Sequence, residues 1–396
     1  MPGTKAEGGR QNGVKACPTA LCFPPSAFRV VIAVCLLATL WGCSSKQVGR
    51  ELAFVAAERA NAVTVIDVNA MKPAAAIPVS PAPIAVRACP VRNEIYVATR
   101  AGRLEIIDAK NLRMAGSVRV SGSPAALALS DDGNTAFLAS RVQPAVHVID
   151  LRARRVVRSI PLPHHSEPVA LQLAPNGNLL CVADAAGRQL QVIDLGRRGV
   201  VARVPLPAAP SHLQILRDSS QVYAAAPEAG VVSVVELKQM KLLTHLPTGL
   251  RPLHLALKPD GGEMLACNAG SNSVAILSSY TDEISLTIPV GAAPVEALVT
   301  RDSARGYVAN SGSDNITAID IENRKVLAAV PAGSGPFRMA LTSDERFLLV
   351  LNSRSQDVAI IRVAPPISLF TLLPSGLGPA DIALKVVEPG DRRRWR

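Results

Sequence analysis

The sequence predicts an all-β fold made of repeated four-stranded units. Three observations lead to this prediction. A proline-containing motif recurs every 41 to 44 residues, each period holds four strand-like runs, and the composition is apolar but poor in aromatic residues. Apolar residues make up 48% of the 396 residues and aromatic residues only 3%, so the core must consist mainly of Val, Ala, Leu and Ile. Such small side chains suit thin, repeated layers.

The recurring motif is a tetrapeptide of small or polar residues that ends in proline and precedes a short apolar run. Its eight prolines are Pro83, Pro124, Pro168, Pro210, Pro252, Pro294, Pro336 and Pro379. A fixed period sustained over the whole chain indicates an internal structural repeat.

The repeat that begins at Pro294 illustrates the four strand-like runs. They read VEALVT, GYVAN, ITAID and VLAAVPA, and short polar turns separate them. The third run often ends in a carboxylate, which can accept hydrogen bonds from the backbone amides of the following turn. We therefore interpret these acids as turn residues without a catalytic role. They are Asp67, Asp108, Asp150, Asp194, Glu236 and Asp320.

Four short antiparallel strands in each period describe one blade of a β-propeller. Residues 51–79 supply three strand-like runs, and Asp381–Val387 supplies a spare innermost run. Joined in one blade, these terminal runs would close the ring. We predict one propeller domain over residues 51–388 with eight blades. Seven blades are the alternative, if one terminal repeat is degenerate.

The second run of the repeat resembles a known signature. Residues 307–310 read Tyr-Val-Ala-Asn. This is similar to the Tyr-Val-Thr-Asn run that names the YVTN family of β-propeller repeats, and weaker copies begin at Tyr96, Cys181 and Leu349. The resemblance covers nearly all of residues 51–388. It implies the fold and relates the chain to surface and periplasmic repeat proteins, and the fold is similar to lactonase, quinoprotein and haem-bearing nitrite reductase propellers. Fold alone does not choose among these functions.

The N-terminal segment predicts export. Residues 27–41 form an apolar run of signal-peptide length. The run Leu-Trp-Gly-Cys at 40–43 resembles the lipobox of bacterial lipoproteins, although a small residue is usual where Trp41 stands. The resemblance implies a signal peptide over 1–42, lipidation of Cys43 and a short linker over 43–50. Ser44 favours the outer membrane, with the protein facing the periplasm or the cell surface. An uncleaved signal anchor is the alternative.

Charge and cysteine usage narrow the possible partners. The net charge of +11 is spread along the chain, with few aromatic residues between the cations. This pattern and the export signal argue against nucleic-acid binding. A basic tail over 389–396 is predicted to be disordered. Cys89, Cys181 and Cys267 fall in three different repeats, so we predict buried free thiols.

The least repetitive position is the residue two after each repeat proline, which we call the ring residue. Three consecutive alanines (the alanine arc) are followed by five polar residues (the polar arc). In chain order the ring residues are Ala85, Ala126, Ala170, His212, His254, Glu296, Arg338 and Asp381. We expect them at one mouth of a central channel, where propellers bind ligands.

The polar arc suggests two ligand chemistries. Two histidines and a carboxylate could hold a divalent metal, and Arg338 could hold an anion. His164 and His165 lie on the loop that enters the third inner strand, at the same face, and are further candidates. The alternative is that channel mouths are wet and polar residues there are merely tolerated.

The sequence contains none of the motifs of covalent haem attachment, phosphate-binding loops, nucleophile elbows or zinc proteases. The predicted function is therefore a non-catalytic, monomeric binding scaffold in the cell envelope, anchored by lipid and contacting an envelope protein or a small ligand. No cofactor is predicted, although a divalent metal remains possible. The alternative is a periplasmic enzyme or redox-accessory propeller that holds a metal, haem or sugar lactone at the channel mouth.

Overall fold

The computed structural model describes residues 49–388. The predictions of a signal peptide over 1–42, of lipidation at Cys43, of most of the linker over 43–50 and of a disordered tail over 389–396 concern residues outside the described range.

The described residues form 32 strands and one 3₁₀ turn, Pro227–Ala229. In chain order the strands are β1 (Arg50–Ala57), β2 (Ala62–Asp67), β3 (Lys72–Pro78), β4 (Pro83–Ala88), β5 (Glu94–Thr99), β6 (Arg103–Asp108), β7 (Arg113–Arg119), β8 (Pro124–Leu129), β9 (Thr135–Ser140), β10 (Ala145–Asp150), β11 (Arg155–Pro161), β12 (Pro168–Leu173), β13 (Leu179–Asp184), β14 (Gln189–Asp194), β15 (Gly199–Pro205), β16 (His212–Ile215), β17 (Gln221–Ala226), β18 (Val231–Glu236), β19 (Lys241–Leu246), β20 (Pro252–Leu257), β21 (Glu263–Asn268), β22 (Ser273–Ser278), β23 (Glu283–Pro289), β24 (Pro294–Val299), β25 (Arg305–Asn310), β26 (Asn315–Asp320), β27 (Lys325–Pro331), β28 (Pro336–Leu341), β29 (Phe347–Asn352), β30 (Asp357–Arg362), β31 (Ser368–Pro374) and β32 (Pro379–Val387).

The strands make eight four-stranded antiparallel sheets, which are the blades of an eight-bladed propeller. Seven blades consist of consecutive strands, from blade 1 (β4–β7) to blade 7 (β28–β31). The first strand of each of these seven blades contacts its counterparts in the neighbouring blades, and β32 is the counterpart in the eighth blade, so these strands are innermost. The all-β class and the eight blades are confirmed, and the seven-blade alternative is wrong.

The closing blade combines both ends of the described chain, in the strand order β3-β2-β1-β32. Strand β1 pairs with β32 from Arg50 opposite Val387 to Ala57 opposite Pro379. The predicted ring closure is therefore confirmed. The inner strand begins at Pro379, two residues before the predicted start, because the repeat proline itself belongs to the strand.

The core lies between neighbouring blades, because each blade packs both of its faces. The second strands are almost continuously buried, whereas outer strands such as β11 alternate between exposed and partly buried residues and have one buried residue near the end. Three tyrosines at equivalent positions of second strands, Tyr96, Tyr223 and Tyr307, are fully buried. This layered burial explains why the strands are rich in small aliphatic residues and do not alternate cleanly.

The turn acids make the predicted hydrogen bonds. Asp108 Oδ1 accepts from the amides of Lys110 and Asn111 at 2.9 and 3.1 Å. The acids at the other five positions accept turn amides in the same way. Cys89, Cys181 and Cys267 are buried free thiols, as predicted. Across residues 49–388 there is no helix with the length and apolar character needed to cross a membrane.

Truncation after Gly378 tests the closing strand. Removing β32 leaves the pairing edge of β1 open and uncovers the apolar side chains that β32 packs against β1 and β4. We expect the thermal unfolding midpoint, measured by circular dichroism, to fall by at least about 10 °C. Truncation after Glu388, which keeps β32, is the control. Equal midpoints for the two truncated proteins would show that β32 does not hold the ring together.

Candidate functional site

All eight ring residues line one central cavity of about 870 Å³. A β-bulge in most inner strands changes the direction in which the side chain of the ring residue points. In most blades the register of the inner strand shifts between the repeat proline and the ring residue, as between Pro294 and Glu296 or Pro336 and Arg338. Such a bulge turns a side chain away from the regular pleat. Because it recurs from blade to blade, it presents one residue of each inner strand at the same level of the ring.

Four residues of the polar arc form a continuous row of contacts. The rings of His212 and His254 lie with centroids 4.2 Å apart and are tilted by 38°. His254 Nε2 is 3.8 Å from Glu296 Oε1, and the same oxygen is 3.7 Å from Arg338 Nη1. The fifth member, Asp381, forms an ion pair with Arg87. The structure therefore brings together the polar ring residues that the sequence singled out.

Four side chains of the polar arc also cap backbone amides. Each accepts a hydrogen bond from the amide three residues after the proline of the next blade, which we call the third-position amide. The pairs are His212 Nδ1 with Leu255 at 3.3 Å, His254 Nδ1 with Ala297 at 3.3 Å, Glu296 Oε2 with Met339 at 2.7 Å, and Asp381 Oδ2 with Val86 at 3.0 Å. These amides face away from the paired strand, so without a cap they would depend on water. The polar arc thus has a structural role that goes beyond being tolerated.

Burial shifts the pKa values of the polar arc. The side chain of Glu296 is 13% exposed and that of His254 is 14% exposed. Burial raises the pKa of Glu296 to about 7, against the opposing effect of the Arg338 charge. Burial, reinforced by Arg338, lowers the pKa of His212 to about 4. The pKa of His254 lies well below its usual value for the same reasons and because His212 is adjacent. Both imidazoles are therefore neutral at pH 7, and the contact between His254 and Glu296 is not an ion pair.

The hydrogen bonds fix the tautomer of both histidines. Because each Nδ1 accepts from an amide, a neutral ring carries its proton on Nε2. Arg338 differs from the other members of the arc. Its side chain is 42% exposed, and the contact with Glu296 is its one ion pair among residues 49–388. The polar arc therefore offers the cavity N–H donors and a guanidinium.

The alanine arc has no such groups. Ala85, Ala126 and Ala170 occupy the ring positions of blades 1 to 3 and contribute only methyl groups to the cavity wall. Blade 3 stands opposite blade 7 in a ring of eight, so Arg338 faces Ala170, the last residue of the alanine arc, across the cavity. The ring is therefore polar on one side of the cavity and apolar on the other.

The structure does not form the predicted metal site, and it does not bring His164 and His165 to the cavity. Within the part of the chain that is described, no three side chains of His, Cys, Asp or Glu come close enough to hold a metal ion. The Nδ1 atoms of His212 and His254 are engaged by amides and are therefore not free to bind a metal. His164 and His165 lie on the expected loop, but both are exposed and neither lines the cavity.

Sequence reasoning missed a second polar level, four residues after the proline. Arg87, Gln172 and Gln214 line the cavity from this position. Gln172 Oε1 accepts from the amide of Ile215 in the next blade at 3.1 Å, which extends the capping pattern. Counting two residues further along each inner strand would have found these side chains, because alternate residues share a face.

A profile of the YNCE-like beta-propeller family matches residues 166–368, which is more than half of the chain. The chain belongs to the YNCE-like beta-propeller family. The predicted resemblance to YVTN-type repeats agrees with this membership. Among curated proteins, none matches the sequence of this YNCE-like propeller.

Three solved structures are similar to the YNCE-like propeller in fold. Dihydro-heme d1 dehydrogenase NirN in complex with DHE has a TM-score of 0.71 at 19% identity, with 85% of this chain and 75% of that chain covered. Kuenenia stuttgartiensis hydrazine synthase has a TM-score of 0.55 at 21% identity, with 67% and 91% covered. A functionally unknown protein from Desulfotomaculum acetoxidans DSM 771 has a TM-score of 0.59 at 13% identity, with 85% and 99% covered. At such identities the likeness shows the fold alone.

Glu296→Gln tests the electrostatics of the YNCE-like propeller. A carboxyl group whose pKa rises from 4.5 to about 7 on folding contributes stability below pH 4.5 that is lost as the pH rises through 7. The unfolding free energy of the wild type relative to Glu296→Gln should therefore fall by about 3 kcal/mol between pH 4.5 and pH 8. The lowered pKa values of the two histidines act in the opposite direction, but in both proteins, so they largely cancel. Urea denaturation at each pH measures the difference.

Glu283→Gln is the matched control, because Glu283 is exposed on the outer strand β23. Its profile should run parallel to that of the wild type. A constant difference between the wild type and Glu296→Gln across the pH range would contradict the raised pKa of Glu296.

Proposed function

We propose that this YNCE-like propeller is a non-catalytic binding protein of the cell envelope, and that it holds a small ligand in its central cavity. The observation that carries the proposal is the asymmetry of the ring. Five adjacent polar side chains face three adjacent alanines around a cavity of about 870 Å³. This volume is in the range of pockets for small molecules, which typically combine an apolar wall with a few placed polar groups.

The ion pairs and hydrogen bonds support binding rather than catalysis. Glu296 and Asp381 cap amides and contact arginines, and the two histidines are neutral and also cap amides. A general base needs a free acceptor within reach of its substrate. The hydrogen-bond acceptors of the polar arc are largely engaged, whereas its Nε2–H groups and the guanidinium of Arg338 point to recognition.

Native mass spectrometry of the protein isolated from its own host tests the proposal. We expect a small molecule to be retained by the wild type and lost from Ala170→Trp, because the indole would fill the cavity beside the alanine arc. Ala76→Trp is the matched control, since Ala76 is exposed on the outer strand β3. Its retained mass should equal that of the wild type.

Absence of a retained molecule from the wild type would not alone decide the matter, so the same proteins are also screened against a metabolite extract. If nothing binds, or if Ala170→Trp and Ala76→Trp bind equally, the central cavity is not the ligand site.

A tetrapyrrole held in the cavity is the second candidate, with the protein as a redox-accessory propeller. NirN, whose fold is similar, was solved in complex with DHE. His212 lines the cavity as a neutral imidazole, and it could bind haem iron only if its ring gave up the hydrogen bond that Nδ1 accepts from the amide of Leu255. The absorption spectrum of protein isolated from its host distinguishes the two candidates. A Soret band would favour the tetrapyrrole, and a spectrum without visible bands would favour a colourless ligand.

The proposal also places the protein on a membrane through Cys43, as the resemblance of residues 40–43 to a lipobox implies. Metabolic labelling with an alkyne fatty acid should mark the wild type and leave Cys43→Ser unmarked. Cys35→Ser, which changes a cysteine inside the predicted signal peptide, is the control and should still give labelled mature protein. Labelling of Cys43→Ser at the level of the wild type would exclude lipidation at this position.

A further inference from the structure

The capping pattern around the ring is incomplete, and the gap coincides with the alanine arc. The third-position amides of Leu127, Leu171 and Leu213 follow Ala85, Ala126 and Ala170 in the preceding blades. A methyl group cannot accept a hydrogen bond. These three amides therefore lack the cap that His212, His254, Glu296 and Asp381 give to their counterparts.

The three amides occupy the same register as the capped ones. Leu171 stands opposite Val182 on its second strand in the way that Leu255, whose amide His212 caps, stands opposite Ala266. In an antiparallel pair, such a residue directs its amide away from the paired strand. In an innermost strand, an amide with this direction points towards the central cavity and the inner strand of the next blade.

The cavity reaches the residues that carry these amides, since Leu127, Leu171 and Leu213 all line it. Of the four residues whose amides the polar arc caps, Val86, Leu255 and Ala297 do not line it, whereas Met339 does. The residues with uncapped amides therefore belong to the part of the wall that is open to the cavity.

Other groups on the cavity wall add to this donor surface. Arg338 stands opposite blade 3, the middle of the three blades with uncapped amides, and His212 and His254 carry their protons on Nε2. The carboxylates of Glu296 and Asp381 are already engaged by amides and arginines. Carbonyl oxygens of the inner strands also face the ring, but an unpaired carbonyl is tolerated better than an unpaired amide.

We infer that the cavity binds a small molecule that carries a carboxylate, whose oxygens take the place of the missing side-chain caps and accept hydrogen bonds from the amides of Leu127, Leu171 and Leu213, with Arg338 as the opposing positive charge. This inference rests on the proposed function and names the class of its ligand. The protein itself provides the precedent, since Asp381 places a carboxylate on the equivalent amide of Val86 beside an arginine. Hydrogen bonds to an ionised acceptor are among the stronger ones in proteins.

Acetate is the smallest probe of this chemistry, and acetamide is its uncharged match. In protein labelled with ¹⁵N-leucine, titration with acetate should move the amide proton resonances of Leu127, Leu171 and Leu213 downfield. Leu255 is the internal control, because His212 already caps its amide. Leucine-to-isoleucine substitutions assign the resonances. Acetamide, which lacks the charge, should shift these three resonances less, and only at a much higher concentration.

Two kinds of variant sharpen the test. Ala126→Asp would place an acceptor on the amide of Leu171, so that this resonance should lie downfield without acetate and no longer respond to it. Ala126→Asn, with a neutral acceptor of similar shape, serves if the aspartate variant does not fold. Arg338→Gln should weaken acetate binding about tenfold, because a charge-assisted interaction is lost.

The inference is overturned if none of the three amides responds to acetate, if Leu255 responds as strongly as they do, or if acetamide binds as well as acetate. Its failure is distinguishable from failure of the proposed function. A retained ligand that Ala170→Trp expels, combined with amides that ignore carboxylates, would mean that the cavity binds a different class of molecule. Loss of both results would remove the proposed function as well.

Discussion

Each inner strand of a propeller has only one hydrogen-bonding neighbour, and the arrangement of the ring depends on how its other edge is satisfied. Eight such edges meet around the axis of this protein. No further strand can be added there, so amides on these edges need side chains, water or a ligand. Residues such as His212 and Asp381 meet this need by reaching from one blade to an amide of the next. They link neighbouring blades at the level where the blades are closest.

The same constraint explains why one set of positions determines both stability and recognition. A polar ring residue joins two blades and occupies space, whereas an alanine leaves an amide uncapped and the space open. The order of polar residues and alanines around the ring therefore decides where the cavity lies and which atoms line it. A buried polar ring residue is costly to ionise, as Glu296 shows, because burial raises its pKa to about 7 even with Arg338 beside it. Three consecutive alanines concentrate the open space on one side of the axis.

The fold could be predicted because the sequence repeats at a nearly constant interval. Counting between prolines gave the blade, and the unmatched runs at residues 51–79 and Asp381–Val387 gave the closure, which depends only on strand number and order. The ring residues could be found because the same bulge recurs from blade to blade. The capping of Leu255 by His212 could not be found, because it depends on the lateral offset between stacked blades, which no local pattern encodes. Likewise, His164 and His165 share a face with the ring in the sequence repeat, but their loop keeps them at the surface.

The closing blade also places both ends of the described chain on one side of the propeller. Arg50 and Val387 are paired at one end of the strands β1 and β32, while Asp381 lies about 20 Å away towards the other end, six residues back along the inner strand. The chain thus enters and leaves the propeller on the side opposite the ring of polar and alanine residues. The ring end of the channel therefore lies on the side away from both ends of the described chain, where neither terminal segment is attached.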